Sequence, residues 1–372
     1  MSPSIWLRRI MAVTGLLVGL LLPTSPAYAD AGTPLMWLGI GHLLFGNLII
    51  GIGEGLLAAR WLKLRKPRTV GIFILANYGS MIAGLYLLTV LGTRLKDHFP
   101  KEVFVYGGVL LVVLGFLSWL LSVVVEWPFC LWAVRKSEHR VRRAIVLSLG
   151  VQTASYAILV PVYLYASTIS LYTNGRTLPD TSFTANPKAE LYYVEKATRD
   201  IWSIRLDGSG KRRVAEHVVP EQFRNLFLRS AGEKVELWAQ DGRDTVKLLD
   251  GVPASPRVAQ LSQPWDGQYP ALDLRPQDER AWKVVSHFGV GTWAIPGFGV
   301  EGTSNDGRTD CYHLALETPF LWAWWGEVTV LPHDEAVAQL NDAIVLVHLP
   351  SRRVGFLTEG EAPVVVSVSE SP

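Results

Sequence analysis

Residues 35–68 read LMWLGIGHLLFGNLIIGIGEGLLAARWLKLRKPR. Up to Ala59 the stretch is almost wholly apolar, with Glu54 as its one formal charge. Arg60, Lys63, Arg65, Lys66 and Arg68 then follow with no acidic residue among them. A hydrocarbon core about 30 Å thick takes about 20 apolar residues of helix to cross. The stretch is therefore expected to cross a bilayer, and the basic run behind it to stay in the cytoplasm.

Working outward, three further stretches have the same character, so the expected spans are 35–59, 70–91, 104–125 and 144–166. The connection after the third holds Arg135, Lys136, Arg140, Arg142 and Arg143 against one Glu138, whereas the connection after the second mixes Arg94, Lys96 and Lys101 with Asp97 and Glu102. Basic short loops remain inside. The first and third loops are then cytoplasmic, the second is outside, and everything after the fourth span is extracytoplasmic. The amino end leads to the same orientation. Arg8 and Arg9 precede an apolar run from Ile10 to Leu22, Pro23 and Pro26 break it, and Ala27-Tyr28-Ala29 offers a cleavage site. This is the pattern of a secretory signal peptide over 1–29. The expected location is the plasma membrane, as a multi-pass protein.

Over all 372 residues the formal net charge is only +2, but it is split. Residues 1–167 hold 15 Lys/Arg against 6 Asp/Glu, and residues 168–372 hold 20 against 27. Ten of the 15 lie in the two cytoplasmic loops, where they set topology rather than attract an acidic partner such as nucleic acid. Such asymmetry marks two parts in two environments and excludes a single water-soluble domain. Two cysteines, Cys130 and Cys311, do not make a disulfide scaffold.

Polar side chains inside a span are costly and tend to face the bundle interior. Asn47 and Glu54 lie seven apart on the first helix, so they share a face, with Gly51 between them. The second span offers Asn77, Ser80 and Gly84; the third Gly108, Gly115, Ser118, Ser122 and Glu126; the fourth Ser148, Gln152 and Ser155, with Pro161 as a kink. Asn47, Glu54, Asn77, Glu126 and Gln152 form the candidate intramembrane polar site. The sharp reading is an ion or proton site; the alternative is a structural pair, or glutamates snorkelling to basic loop residues. The glycines of Gly51-Ile52-Gly53-Glu54-Gly55 are expected to permit close backbone approach, not to hold phosphate. His42 stands without a partner histidine in another span and is expected to hydrogen-bond a neighbouring helix.

Residues 168–187 carry Asn, Thr, Ser, Gly and two prolines and read as a linker. Residues 188–366 then change to short alternating runs with Gly, Asp and Pro between them, a strand-and-turn pattern; 367–372 form a tail. The fold class is thus a four-span helical bundle followed by an all-β extracytoplasmic domain. Three segments look alike. The first is Leu191–Val194, Asp200-Ile201-Trp202-Ser203-Ile204-Arg205-Leu206-Asp207-Gly208-Ser209-Gly210 and Arg213-Val214; the others are 235–251 and 343–360. Repeated hairpins of this size suggest propeller blades. The first segment resembles the TolB-type propeller repeat, with its Ile-Trp strand and Asp-Gly-Ser-Gly turn. The resemblance covers about 25 residues well. It implies a propeller-like fold with a binding or scaffolding surface, and it carries no functional residue across. An open stack of hairpins is the alternative arrangement.

No catalytic constellation is evident: neither H-E-x-x-H nor G-x-S-x-G occurs. Gly297-Phe298-Gly299-Val300-Glu301-Gly302 matches G-x-G-x-x-G, but turn residues rather than a helix follow it. Asn305, Asp306 and Asp310 depart from calcium-loop spacing. No metal ligand set and no cofactor is expected. Phe320, Trp322 and Trp324 would share one strand face and form a candidate aromatic binding patch, with core packing as the alternative. Three functional readings result. The leading one is a membrane-anchored β-repeat module that binds a ligand or protein. The second is a small transporter or channel component using Glu54 and Glu126. The third is an extracytoplasmic enzyme drawing on Glu301, Asp306 and Asp310.

Overall fold

The computed structural model describes residues 34–98, 100–223, 225–232, 234–241, 244–254, 271–274, 282–290, 293–303, 309–323 and 325–367. The signal-peptide reading over 1–29 and the final tail residues 368–372 lie outside them. The helical part comes first: α1 (Pro34–Gly41), a π-turn (His42–Gly46), α2 (Asn47–Trp61), α3 (Lys66–His98), α4 (Pro100–Ala133) and α5 (Arg140–Ala166). Four helices are long and apolar enough to cross a membrane, over Leu38–Trp61, Lys66–Tyr86, Lys101–Ala133 and Arg140–Ala166. Their outward surface is apolar: Phe45, Ile49, Ile82, Val112, Phe116 and Ile158 are all exposed. Water would not tolerate so large an apolar surface, but lipid tails do.

Consecutive helices pack side by side, and α5 returns to lie against α1 and α2, which closes the bundle. The tightest seam is between α2 and α3. A Cβ added at Gly51 would sit 2.7 Å from Ile74 Cα, and one at Gly55 would sit 2.5 Å from Val70 Cα. The two glycines are one turn apart on one face, so the backbone of α3 lies where side chains would otherwise be. Without a hydrophobic drive between helices in lipid, such contact supplies the dispersion and dipole interactions that hold them together.

After α5 the chain makes a short helix, α6 (Ser170–Thr173), and the elements that follow among the described residues are strands. The first strands are β1 (Arg176–Leu178), β2 (Glu190–Val194), β3 (Ile201–Arg205), β4 (Arg212–Ala215), β5 (Asn225–Ala231), β6 (Lys234–Asp241) and β7 (Asp244–Val252). β8 (Ala271–Asp273), β9 (Trp282–Val290), β10 (Trp293–Thr303), β11 (Thr309–Leu314), β12 (Leu316–Glu317) and β13 (Trp322–Ala323) follow. The chain ends with β14 (Trp325–Leu331), β15 (Glu335–Leu340), β16 (Ala343–His348), β17 (Arg353–Glu359) and β18 (Glu361–Ser367). The hairpins expected from the alternating runs are present as β2–β3, β6–β7 and β16–β17. They belong to an order of sheets that the repeats alone did not define. A six-stranded sheet runs β1-β17-β16-β15-β14-β8, a four-stranded one β18-β2-β3-β4, and β5-β6-β7 and β11-β10-β9 form two three-stranded sheets. Among the described residues the strands form no closed barrel or propeller.

The six-stranded sheet is buried on both faces, which explains the unbroken apolar run Ala343–Val347. Val337, Ile344, Leu346 and Leu357 face a core shared with Leu191, Tyr193, Ile201 and Leu237. Ala336, Ala338, Val345, Val347, Val354 and Phe356 face the other way, into a core that also contains Phe104 and, at its margin, Val105 and Leu111 of α4. The β region is therefore seated on the helices. Tyr172 reinforces the seam: its hydroxyl donates to Val103 O at 3.0 Å, and burial pushes its phenol up from the ordinary tyrosine value. Gly107 makes room for it, since a Cβ there would collide with the Tyr172 ring.

The segment 168–187, whose composition reads as a linker, is part of this packing. β1 pairs parallel with β17 at Arg176↔Arg353 through Leu178↔Gly355. Short polar residues are used here for side-chain hydrogen bonds to distant strands rather than for flexibility.

Replacing Gly55 with Val should loosen the α2–α3 seam. Overpacking of this kind costs about 1–3 kcal/mol, and the expected readout is a lower unfolding midpoint of the purified protein in detergent. Gly53→Val is the control, because a Cβ at Gly53 meets nothing within 4 Å and should leave the midpoint nearly unchanged.

Candidate functional site

The helices bring three of the five polar candidates together around one carboxylate. Glu54 of α2 is buried. Its Oε2 accepts from Asn77 Nδ2 of α3 at 2.5 Å; its Oε1 accepts from Ser155 Oγ of α5 at 2.5 Å and, at 3.5 Å, from Gln152 Nε2. The spacing explains the convergence: Gln152 and Ser155 are three apart on one helix face, and Asn77 is one turn from Phe73, whose carbonyl it also reaches at 3.1 Å. The glycine seam lets α3 come close enough for Asn77 to reach across.

Glu126 of α4 is 1% exposed and lies close enough to Glu54 for the two charges to interact. Its Oε1 accepts from Ser80 Oγ at 2.9 Å, while its Oε2 has no hydrogen-bond partner among the described residues. Ser80 also bonds back to Asn77 O at 3.1 Å, which links the two carboxylates through one turn of α3. Neither glutamate reaches a basic loop residue: the described ion pairs all lie in the β region. Every partner of the pair is a neutral donor. The snorkelling arrangement is thus absent, because the side chains of α3 and α5 supply donors nearer than the loops do.

Asn47 does not join the cluster. Its Nδ2 donates to His42 O at 3.0 Å, across the π-turn. His42 in turn shares a 2.5 Å hydrogen bond with Tyr163 Oη of α5. The π-turn widens the helix by one residue, a feature that often accompanies a re-aimed side chain. Gly46 is required there, since a Cβ on it would strike the His42 ring at 2.5 Å. Ser80 and Ser155, named among the polar residues of their spans but not among the five site candidates, supply donors to the two carboxylates. Their signal was available only as helical spacing from Asn77 and Gln152.

The β region also holds buried carboxylates outside the sequence-derived candidates. Glu335 at the start of β15 is fully buried. It accepts from Thr184 Oγ1 at 2.8 Å, from Ala185 N at 2.7 Å and from Asn186 Nδ2 at 2.8 Å. Asn186 donates further to Pro332 O at 2.9 Å. These bonds clamp 184–186 to the six-stranded sheet. Arg199 plays the converse part: it pairs with Glu361 at 3.1 Å and donates to the carbonyls of Val219, Pro220 and Phe223. Both groups satisfy backbone atoms of the segments packed against them.

The aromatic run is not one strand face. Phe320 lies in the turn before β13, half-buried, and Trp322 is exposed on β13; Trp324 lies outside the described residues. Thr318 breaks the alternation by bonding with Leu321 through backbone and side chain. The stretch 297–302 lies inside strand β10, antiparallel between β9 and β11, so no helix follows it. Glu301 registers with Cys311 and Gly302 with Asp310, and Asp306 lies outside the described residues. Among the described residues no group of three or more His, Cys, Asp or Glu is placed to hold a metal. What the arrangement can do chemically is concentrated in the bundle: two carboxylates, three amide or hydroxyl donors around one of them, and no fixed counter-charge.

Glu54→Leu should strand the Asn77, Gln152 and Ser155 donors in an apolar interior. A buried donor left without its acceptor costs about 1–3 kcal/mol, so unfolding midpoints in detergent should fall clearly for Glu54→Leu and much less for Glu54→Gln. Glu335→Ala should release 184–186, read as faster amide hydrogen exchange confined to that segment. Compared with known proteins, the chain matches no family model and no curated relative.

Proposed function

We propose that this is a multi-pass plasma-membrane protein whose helical bundle presents an extracytoplasmic, propeller-like β module for binding a ligand or a protein. The observation that carries this reading is the shared core between the module and α4. Phe104, Val105 and Leu111 pack with Val354 and Phe356, and Lys101 stands 5.6 Å over the Phe356 ring. A module mounted in this way keeps one orientation to the membrane, which suits presentation of a binding surface. The pairing of β18 with β2 supports a ring-like arrangement, because it joins the two ends of the module. The basic residues flanking α2, α4 and α5 support the orientation. In intact cells, a reporter fused after Pro372 should be exposed to the outside and a tag in the loop carrying Arg65 should be protected. A protected carboxy-terminal reporter would overturn the reading. Crosslinking from intact membranes through exposed positions of β7 should then capture the partner.

A second reading rests on Glu54 and Glu126. Two buried carboxylates with only neutral donors around them, one oxygen of which has no partner among the described residues, suit transient occupation by a proton or small monovalent cation during transport. In proteoliposomes, sodium or proton flux that disappears in Glu126→Gln while the protein remains inserted would support this role. Equal flux in the variant and the parent would reject it.

A further inference from the structure

We infer that the hairpin 318–322 rests in the headgroup region of the same bilayer that the helices cross, with Trp322 as its anchor. The inference starts from the register at the helix exit. Thr168, two residues beyond the end of α5, pairs with Glu317 through both backbone bonds, at 2.9 and 2.7 Å, and Leu171 N donates to Ala315 O at 3.0 Å. The chain leaving α5 is therefore antiparallel to the chain running from Ala315 to Glu317. As the first moves away from the end of α5, the second moves toward it. The residues after Glu317 thus continue back to the level of the last turn of α5.

They do so as a tight turn. Thr318 N donates to Leu321 O at 2.8 Å, and Leu321 N donates to Thr318 Oγ1 at 2.8 Å. Trp322 then stands opposite Glu317 in the β12–β13 pair. Two strand spacings of about 4.8 Å separate it from Thr168. A second landmark agrees: Leu321 packs at the margin of the core that contains Phe104, near the start of α4. The hairpin is thus located by the end of the last crossing helix.

Its chemistry fits that place. Thr318, Pro319, Phe320, Leu321 and Trp322 carry no charge. Trp322 is 54% exposed, and every other exposed large hydrophobic side chain among the described residues lies between Met36 and Tyr165, in the helical part. Among its described residues, then, the exposed large apolar side chain of the β region is Trp322, and it stands beside the helix exit. Tyr165 is 95% exposed at the end of α5, the helix end from which the hairpin is located. Tyr and Trp gather at the membrane–water interface because an apolar ring and a polar N–H or O–H find both environments there. The placement follows whichever face of the bilayer α5 emerges from, so it holds or fails independently of the binding function proposed above.

The test uses the full chain in lipid nanodiscs. Trp322→Cys, in a Cys130→Ala, Cys311→Ser background, is labelled with a polarity-sensitive fluorophore. It is challenged with lipid carrying a nitroxide on its headgroup and, separately, with aqueous iodide. A blue-shifted emission that nitroxide lipid diminishes and iodide spares is expected. Asp250→Cys on the edge strand β7 should show the reverse. Iodide quenching at position 322 equal to that at 250, with no loss to nitroxide lipid, would overturn the inference. Shielding from both quenchers would also overturn it, by assigning Trp322 to a protein contact instead. If Trp322→Cys does not fold, the same label at Pro319→Cys, on the exposed tip of the turn, gives the same discrimination.

Discussion

A polar group inside hydrocarbon has no water to turn to, and the helical part is arranged around that cost. Its backbone is satisfied by helix formation. Its polar side chains draw on one another and on the helix backbone: Asn77 and Ser155 reach Glu54, Ser80 reaches Glu126, and Asn47 reaches His42 O, while one oxygen of Glu126 has no partner among the described residues. Such short side chains bridge helices only when the axes lie close together, so the glycines at 51 and 55 and the acid at 54 form one device. The glycines bring α3 near, and the nearness makes the carboxylate tolerable.

The same economy governs the β region, with water as the alternative partner. Its central sheet is covered on both faces and so carries no polar face of its own. The buried acceptor Glu335 and the extended donor Arg199 sit where the chain must change direction, and each gathers backbone groups that the sheets leave over. A buried carboxylate with three donors is a positional lock: losing any one of them leaves a buried acceptor short of a hydrogen bond. It explains how a segment rich in Asn, Thr and Pro can be fixed between two well-packed regions.

How much of this is legible from residues follows from the range of each interaction. The four long helices are written locally, as apolar length, and the hairpins as alternation with Asp-Gly and Pro-Ser turns between. The convergence of Glu54, Asn77 and Gln152 was also readable, because costly residues in separate spans share an interior. The role of Ser155 was less so, since serine is tolerated on either face of a helix in lipid. Nothing local marks Glu335 as the partner of Thr184 and Asn186, about 150 positions earlier in the chain. Nor does alternation through 320–324 reveal that the Thr318 hydroxyl ends the pattern. Long-range pairing and side-chain-to-backbone bonds are the two places where pattern reading fails here, and both are tertiary in origin.

The pairing of β18 with β2 imposes an order of assembly. Tyr192 and Leu191 find their strand partners in Val364 and Val365, at the far end of the β region. During synthesis, β2 and β3 emerge long before the strand that completes their sheet. Until then the edge of β2 is open, with the apolar side chains of Leu191 and Tyr193 beside it, and an open apolar edge invites pairing with another chain. The β region can therefore reach its final state only after β18 has emerged from the ribosome, and loss of β18 would leave an uncovered edge rather than a slightly smaller domain. Joining β18 to β2 closes a very long loop, and the entropic cost of that closure must be met before the β18 contacts can form.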